Sequence, residues 1–296
     1  MKSSISPATL CMVVTIGILW GLNWPAVKIM LAEISPLTLR AISFTFAAII
    51  LMAASRMFGF RLRPAERETT SLIFTGLFLL FGFNVSTAFG QLFTQTSNAA
   101  IIAYTMPSMT AVLSAVLLGD QLSKRLILAI CVGLAGLSIL AVDDITGLVK
   151  EPLGPALMLL AAFSWSIGNV LSQANKWVLL PLARAAWFFV ISAVMTWPLA
   201  LFFEPLELSR LPSAKTLWVL LFHVLGPMVA CYIMWTTLLG KLPATMAAIS
   251  TLLAPVVGVL SAIAILNEPM TLHKAIALFL IVVSIAIALI RPATMR

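Results

Sequence analysis

The residues of this chain whose types and spacing could do chemistry are polar and aromatic side chains set deep in long apolar stretches. Trp20, Asn23, Trp24 and Lys28 fall at i, i+3, i+4 and i+8, on one face of a helix. Asn84, Thr87, Gln91 and Gln95 follow i, i+3, i+7 and i+11; Trp165, Asn169 and Ser172 share a third face, and Tyr104 and Ser108 a fourth. His223, Tyr232 and Trp235 lie together in a further stretch. An amide or hydroxyl facing hydrocarbon loses its hydrogen bonds, so these faces must turn inward. Interhelical bonding, at about 0.6–2 kcal/mol per contact, is one use for them. Convergence of four such stripes predicts another: a shared polar and aromatic cavity. Trp20, Asn23, Asn84, Gln91, Tyr104, Ser108, Trp165, Asn169, His223 and Tyr232 are its candidate substrate-binding residues. What they offer is recognition, by stacking on flat rings and by amide hydrogen bonds.

Catalysis is not expected. HExxH, GxSxG and paired carboxylates are missing from the sequence, and all ten acidic residues lie at the edges of apolar windows or between them. Cys11, Cys131 and Cys231 are odd in number and sit in apolar surroundings, and His223 and His273 are far apart in sequence, so neither a metal nor another cofactor is predicted.

The elements that must position these side chains follow from composition. Of 296 residues, 61% are hydrophobic and only 9% charged, against about a quarter charged in a soluble domain. Charge-free windows run over 3–27, 41–55, 69–119, 126–142, 152–175, 185–203, 216–240, 242–267 and 275–290. Each is near the roughly 20 residues of a bilayer-crossing helix, except 69–119, which holds two and divides at QLFTQTSN, residues 91–98. The expectation is an all-α membrane protein of ten transmembrane helices, with no room for an appended soluble domain. The two shortest windows gain length from Arg40 and Lys274, expected to snorkel to the interface. The first window, preceded by Lys2, continues to Val27 without a cleavage site and reads as an uncleaved first helix.

The net charge of +8 reflects topology and not nucleic-acid binding. One set of alternate loops plus both tails holds Lys2, Arg56, Arg61, Arg63, Arg67, Lys124, Arg125, Lys176, Arg184, Lys241, Arg291 and Arg296; the other holds Lys28, Arg40, Lys150, Arg210, Lys215 and Lys274, diluted by seven acidic residues. By the positive-inside rule both termini face the cytoplasm.

The chain also aligns with itself. At an offset of 148 residues, Ala99, Ala100, Ile101, Pro107 and Leu118 recur as Ala247, Ala248, Ile249, Pro255 and Leu266, and Asp120 recurs as Glu268. Five spans separate the copies, an odd number, so the repeat is inverted across the membrane: residues 1–148 form one five-helix unit and 149–296 the other. Pro107 and Pro255 each remove a helical hydrogen bond near the centre of a span, and both helices are expected to kink there as hinges.

WGLNWPAVK (20–28), SPLTLR (35–40), PSMTAVLSAVLLGDQL (107–122) and APVVGVLSAIAILNEP (254–269) together resemble the EamA-type members of the drug/metabolite transporter superfamily, over essentially the whole chain. The resemblance implies ten helices in two inverted halves around a central substrate cavity. More narrowly, the chain resembles bacterial inner-membrane exporters of aromatic and other neutral amino acids. It departs from the pattern in the sixth span, where AAFSWSIGNVLSQ (161–173) stands for W-G-x-N, so the pocket should be asymmetric.

The expected function is a secondary transporter of small neutral metabolites, aromatic and neutral amino acids foremost, working by alternating access. Export and facilitated movement are expected, since no midplane carboxylate is available to couple transport to a proton or sodium ion. A transporter or flippase for another metabolite or a lipid-linked head group is the alternative. The partners implied are a small-molecule substrate and membrane lipid, without nucleic acid; monomer and homodimer are both compatible with the sequence.

Overall fold

The computed structural model describes residues 7–119, 123–143, 150–204, 211–238 and 244–289. Asp120, the counterpart of Glu268 in the repeat, and the Trp235 side chain lie outside the described residues. Ten helical spans run through the rest: α1 (Pro7–Leu31), α2 (Pro36–Met57), α3 (Glu66–Gly90), α4 (Thr96–Leu118), α5 (Lys124–Asp143), α6 (Leu153–Ala174), α7 (Pro181–Phe203), α8 (Ala214–His223, continuing through Cys231–Leu238), α9 (Ala244–Leu266) and α10 (Leu272–Leu289). Eight of the spans are long and apolar enough to cross a membrane, and α9 and α10 contain shorter apolar helices, Leu253–Leu266 and Leu272–Ile287. The turn between α3 and α4 falls at Gln91–Gln95, inside the polar stretch that divides the long window.

The helices pair in a fixed pattern: α1 lies along α9, α2 along α7, α5 along α10, and α6 against both α3 and α4. Two close approaches depend on glycine. A Cβ on Gly21 of α1 would stand 2.5 Å from Val257 Cβ, and one on Gly168 of α6 would stand 2.5 Å from the backbone nitrogen of Leu79. Both spacings are far inside van der Waals contact, so the missing side chain is what lets these helices meet.

Two spans change their winding part-way. α3 is π-helical over Leu77–Gly82 and α8 over Val224–Ala230, segments that begin 147 residues apart in the chain. A π turn shifts the backbone ladder and leaves carbonyls open to other donors. Each segment finds one on the helix beside it: Ser164 Oγ of α6 donates to Phe78 O at 2.7 Å, and Trp20 Nε1 of α1 donates to Pro227 O at 3.3 Å.

α4 breaks at Tyr104–Thr105, where the Thr105 nitrogen and hydroxyl both donate to Ile102 O. Pro107 follows in the first turn of the new segment, Met106–Leu118, where its missing N–H leaves no gap in the ladder. Pro255 sits inside α9, which remains helical on both sides of it. The two prolines therefore differ in effect, and the interruption belongs to α4.

Helix N-termini present N–H groups without intrahelical partners, and within a membrane protein carboxylates take the place of water there. Glu204 accepts from Leu37 N, Thr38 N and Thr38 Oγ1 at the start of α2, at 2.8–3.0 Å. Glu268 accepts from Thr96 N and Ser97 N at the start of α4, at 2.6 and 2.8 Å. Glu33 accepts from Ser213 N and Oγ at the start of α8. At the opposite end of the bundle, Glu68 accepts from Val178 N and Leu179 N just before α7. The acidic residues at window edges thus hold helix ends together.

Candidate functional site

A cavity of ≈870 Å³ runs through the bundle between α1, α2, α3, α4, α6 and α8, with α5 and α9 reaching it at Arg125, Leu126 and Ala254. Of the residues proposed from the sequence, Trp20, Asn23, Asn84, Gln91, Tyr104, Trp165, Asn169 and Tyr232 line it, brought together from five helices and the α3–α4 turn. Its aromatic wall is built from one edge contact, Trp20 with Tyr232 at 6.3 Å, and two tilted ones, Trp24 with Tyr104 at 6.2 Å and Trp165 with Phe83 at 4.9 Å between ring centroids. Tyr232 is itself backed by Phe189 of α7 at 5.0 Å. These contacts fix the rings while leaving other edges and faces toward the space. Pro107 also lines the cavity, next to the break in α4.

Two of the predicted site residues lie elsewhere. Ser108 faces a separate apolar cleft of ≈230 Å³ between α4, α5 and α6, and its Oγ lies 3.5 Å from Ser284 Oγ of α10. The interruption at Tyr104–Thr105 explains this, since a residue four positions after Tyr104 keeps its face only if the helix is continuous. His223 is 0% exposed and stands behind the cavity wall. Its Nδ1 lies 2.5 Å from Asn23 Oδ1 and its Nε2 3.5 Å from Arg40 Nη1. A guanidinium only donates, so Nε2 is the bare nitrogen, and Nδ1 carries the proton that Asn23 Oδ1 accepts. His223 is thereby a neutral spacer joining α1 to α2.

Arg40 reverses an expectation. It does not snorkel: it is 1% exposed and lines the cavity. Its Nε donates to Asn84 O at 2.9 Å and its Nη2 to Thr87 Oγ1 at 3.2 Å. A signal for this was present in SPLTLR. Proline favours the first helical turn, so a helix begun at Pro36 carries Arg40 a full turn inside the span. Lys274 likewise is 1% exposed, with Nζ donating to Gln95 Oε1 at 2.8 Å and to Pro269 O at 3.0 Å. Its short α10 must lie near the α3–α4 turn to make that contact. Lys28, placed on the Trp20 face by spacing, turns instead to the carbonyls of Gln91 and Thr94, the latter at 3.4 Å.

These contacts close one end of the cavity. Where α1 and α3 finish and α2 and α4 begin, Lys28, Lys274 and Glu268 all bind the stretch from Gln91 to Ser97. At the opposite end the cavity reaches Ser123, Arg125 and Gln173, of which Ser123 and Gln173 are exposed. No carboxylate lines the cavity among the described residues.

Ten apolar helices wound about one polar and aromatic cavity, closed at one end, form the architecture of a membrane transporter. The profile of the EamA-like transporter family matches residues 7–142 and again residues 152–290, and the chain belongs to that family. It is 24% identical over 274 residues to the uncharacterized transporter YoaV of Bacillus subtilis, spanning 91% of this chain and 92% of the relative. To a probable amino-acid metabolite efflux pump of Escherichia coli it is 26% identical over 280 residues, covering 86% of this chain and 85% of that one. A solved crystal structure superposes with a TM-score of 0.67 at 21% identity, over 96% of this chain and 97% of that chain, a likeness of fold.

Proposed function

We propose that this transporter moves neutral amino acids, aromatic ones foremost, out of the cell across the bacterial inner membrane by facilitated alternating access. The observation that carries the reading is the cavity of ≈870 Å³ walled by Trp20, Tyr104, Trp165 and Tyr232 and supplied with the amides of Asn23, Gln91 and Asn169. It lies within the size range of small-molecule sites and offers flat apolar surfaces beside a few polar groups. The relative named as a probable amino-acid metabolite efflux pump supports the substrate class. Movement down a gradient fits a cavity whose described lining lacks a carboxylate to carry a coupling cation.

In this reading residues 1–148 and 149–296 are inverted units that rock about the cavity. The spacing of the two π segments and the double family match support it. With both termini cytoplasmic, the closed end at Gln91–Ser97 faces outward and the end at Gln173 faces the cytoplasm, so the described state is open inward. Reporter fusions after Arg63 and Arg184 should then read cytoplasmic and a fusion after Lys150 external.

The deciding experiment is counterflow in liposomes holding the purified protein, with radiolabelled tryptophan, phenylalanine, leucine and a lipid-linked sugar offered in turn. Equilibration of tryptophan or phenylalanine without an imposed ion gradient is the expected result. Movement of the lipid-linked sugar alone would overturn the amino-acid reading. Accumulation driven by a proton gradient would overturn the facilitated one.

A further inference from the structure

We propose that Arg40 and Gln91 form a two-ended anchor for a zwitterion, Arg40 taking the substrate carboxylate and the Gln91 side-chain oxygen its ammonium group; the proposal rests on the amino-acid reading above and deepens it. Two independent features of the cavity carry it, one a surplus of donors and the other an acceptor without a donor.

The first is the guanidinium. Arg40 is almost wholly buried, and no carboxylate pairs with it among the described residues. Of its five N–H groups, one goes to Asn84 O, one to Thr87 Oγ1 and one to His223 Nε2, which leaves two for the cavity it lines. A buried charge without a counter-ion is costly and is retained where something else supplies the opposite charge. Its three protein partners are all neutral, and they hold the fork in one orientation from two other helices. A planar fork so held matches the two oxygens of a carboxylate.

The second is Gln91. Its Oε1 is buried, accepts no hydrogen bond among the described residues, and belongs to a side chain that lines the same cavity. Such an orphaned acceptor calls for a donor. The two groups belong to successive turns of one wall: Arg40 is bound to Asn84 and Thr87, and Gln91, just past the end of α3, follows Thr87 by one helical turn, its nitrogen donating to Thr87 O at 3.1 Å. Anchors on successive turns of one cavity wall suit the carboxylate and ammonium of one α-carbon. The substituent on that carbon then projects toward Trp24, Tyr104 and Trp165, the aromatic part of the wall. Selection at this end is for the zwitterion, and selection among side chains is left to the rings.

The test uses wild-type proteoliposomes first, so that no variant need fold. Tryptophan counterflow is challenged with tryptophan, tryptophanamide, which lacks the carboxylate, and 3-indolepropionate, which lacks the ammonium. Tryptophanamide should inhibit about 10- to 100-fold more weakly than tryptophan, as expected for loss of a charge-assisted contact, and 3-indolepropionate about tenfold more weakly. Arg40→Gln should raise the KM for tryptophan by about the same 10- to 100-fold and leave inhibition by tryptophanamide unchanged. Gln91→Leu should remove the preference for tryptophan over 3-indolepropionate. Equal inhibition by tryptophan and its amide in the wild-type protein would overturn the anchor while leaving amino-acid transport standing. Absence of any amino-acid counterflow would overturn the substrate reading. In that event a thermal shift with 3-indolepropionate that vanishes in Arg40→Gln retains the carboxylate contact, and an unchanged shift discards it.

Discussion

Trp20-Gly21-Leu22-Asn23 in α1 and Trp165-Ser166-Ile167-Gly168-Asn169 in α6 carry the same kinds of residue and face the same cavity, yet the fold uses them differently. In α1 the polar groups are taken up by the protein: Trp20 donates to Pro227 O, and Asn23 accepts from the buried His223. In α6, among the described residues, Asn169 bonds only within its own helix, Nδ2 to Trp165 O at 2.9 Å, and Trp165 rests on Phe83 with no donor contact to another helix. The glycines diverge as well, Gly21 admitting the Val257 side chain of α9 and Gly168 the backbone of the π segment in α3. One motif is bound into the wall's framework, and the other makes no hydrogen bond to a second helix among the described residues. Likeness of sequence between the two halves therefore does not carry likeness of role, because role depends on which helix lies across from the motif.

The comparison can be broken most directly at the glycines, where the largest effects are expected. Gly168→Ala places a methyl against the Leu79 backbone, which cannot retreat without unwinding the π segment, so stability should fall by about 3 kcal/mol or more. Gly21→Ala should also destabilise. Combination with Val257→Gly, which removes the Cβ that the new methyl meets, should restore a good part of its thermal midpoint in detergent, whereas Leu79→Gly should not rescue Gly168→Ala, whose nearest contacts include the Leu79 backbone. Equal rescue at both sites would mean that both glycines merely face side chains.

The asparagines sharpen the contrast. Asn23→Ala strands the proton on His223 Nδ1 in a dry site and should cost about 1–3 kcal/mol, read as a lower thermal midpoint together with impaired counterflow. Asn169→Ala, which strands nothing, should alter stability by less than about 0.5 kcal/mol and act on the KM for substrate. If the two variants lost stability equally, the division between framework and free motif would fail.

The smallest effect lies away from both motifs, in the loop after α1. Hydrogen bonds from the Ser213 nitrogen and hydroxyl hold the Glu33 carboxyl below its ordinary range. A pKa depressed in the folded state stabilises above the unfolded value and loses that contribution as pH falls through the folded value. The thermal midpoint should therefore drift down slightly as the medium is acidified below the usual Glu range, and Glu33→Gln should flatten only that part of the profile. An acid limb as steep in Glu33→Gln as in the wild type would contradict the assignment.

Much of the architecture was legible because membrane physics writes it in composition. Hydrocarbon excludes charge and requires helices, so gaps between charged residues marked the spans, and the cluster at 91–98 marked the turn between α3 and α4. Helical spacing also gathered most of the cavity, since Trp20, Asn84, Gln91 and Trp165 each lie on an inward face. It failed at Ser108, where the helix is interrupted, and at Arg40, where a charge near a window edge is equally compatible with snorkelling outward and folding inward.

The sequence by itself determined that this chain crosses a membrane as ten helices, that it belongs with the EamA-type transporters, and which helix faces turn away from lipid. Those properties follow from local rules, the cost of charge in hydrocarbon and the 3.6-residue period of one helix. Only the tertiary structure decided that His223 stands behind the cavity, that Arg40 enters it with no counter-ion among the described residues, and that the α1 and α6 motifs part in their contacts. Each of these depends on a contact between residues tens to hundreds of positions apart, and a one-dimensional period has no means of saying which face meets which.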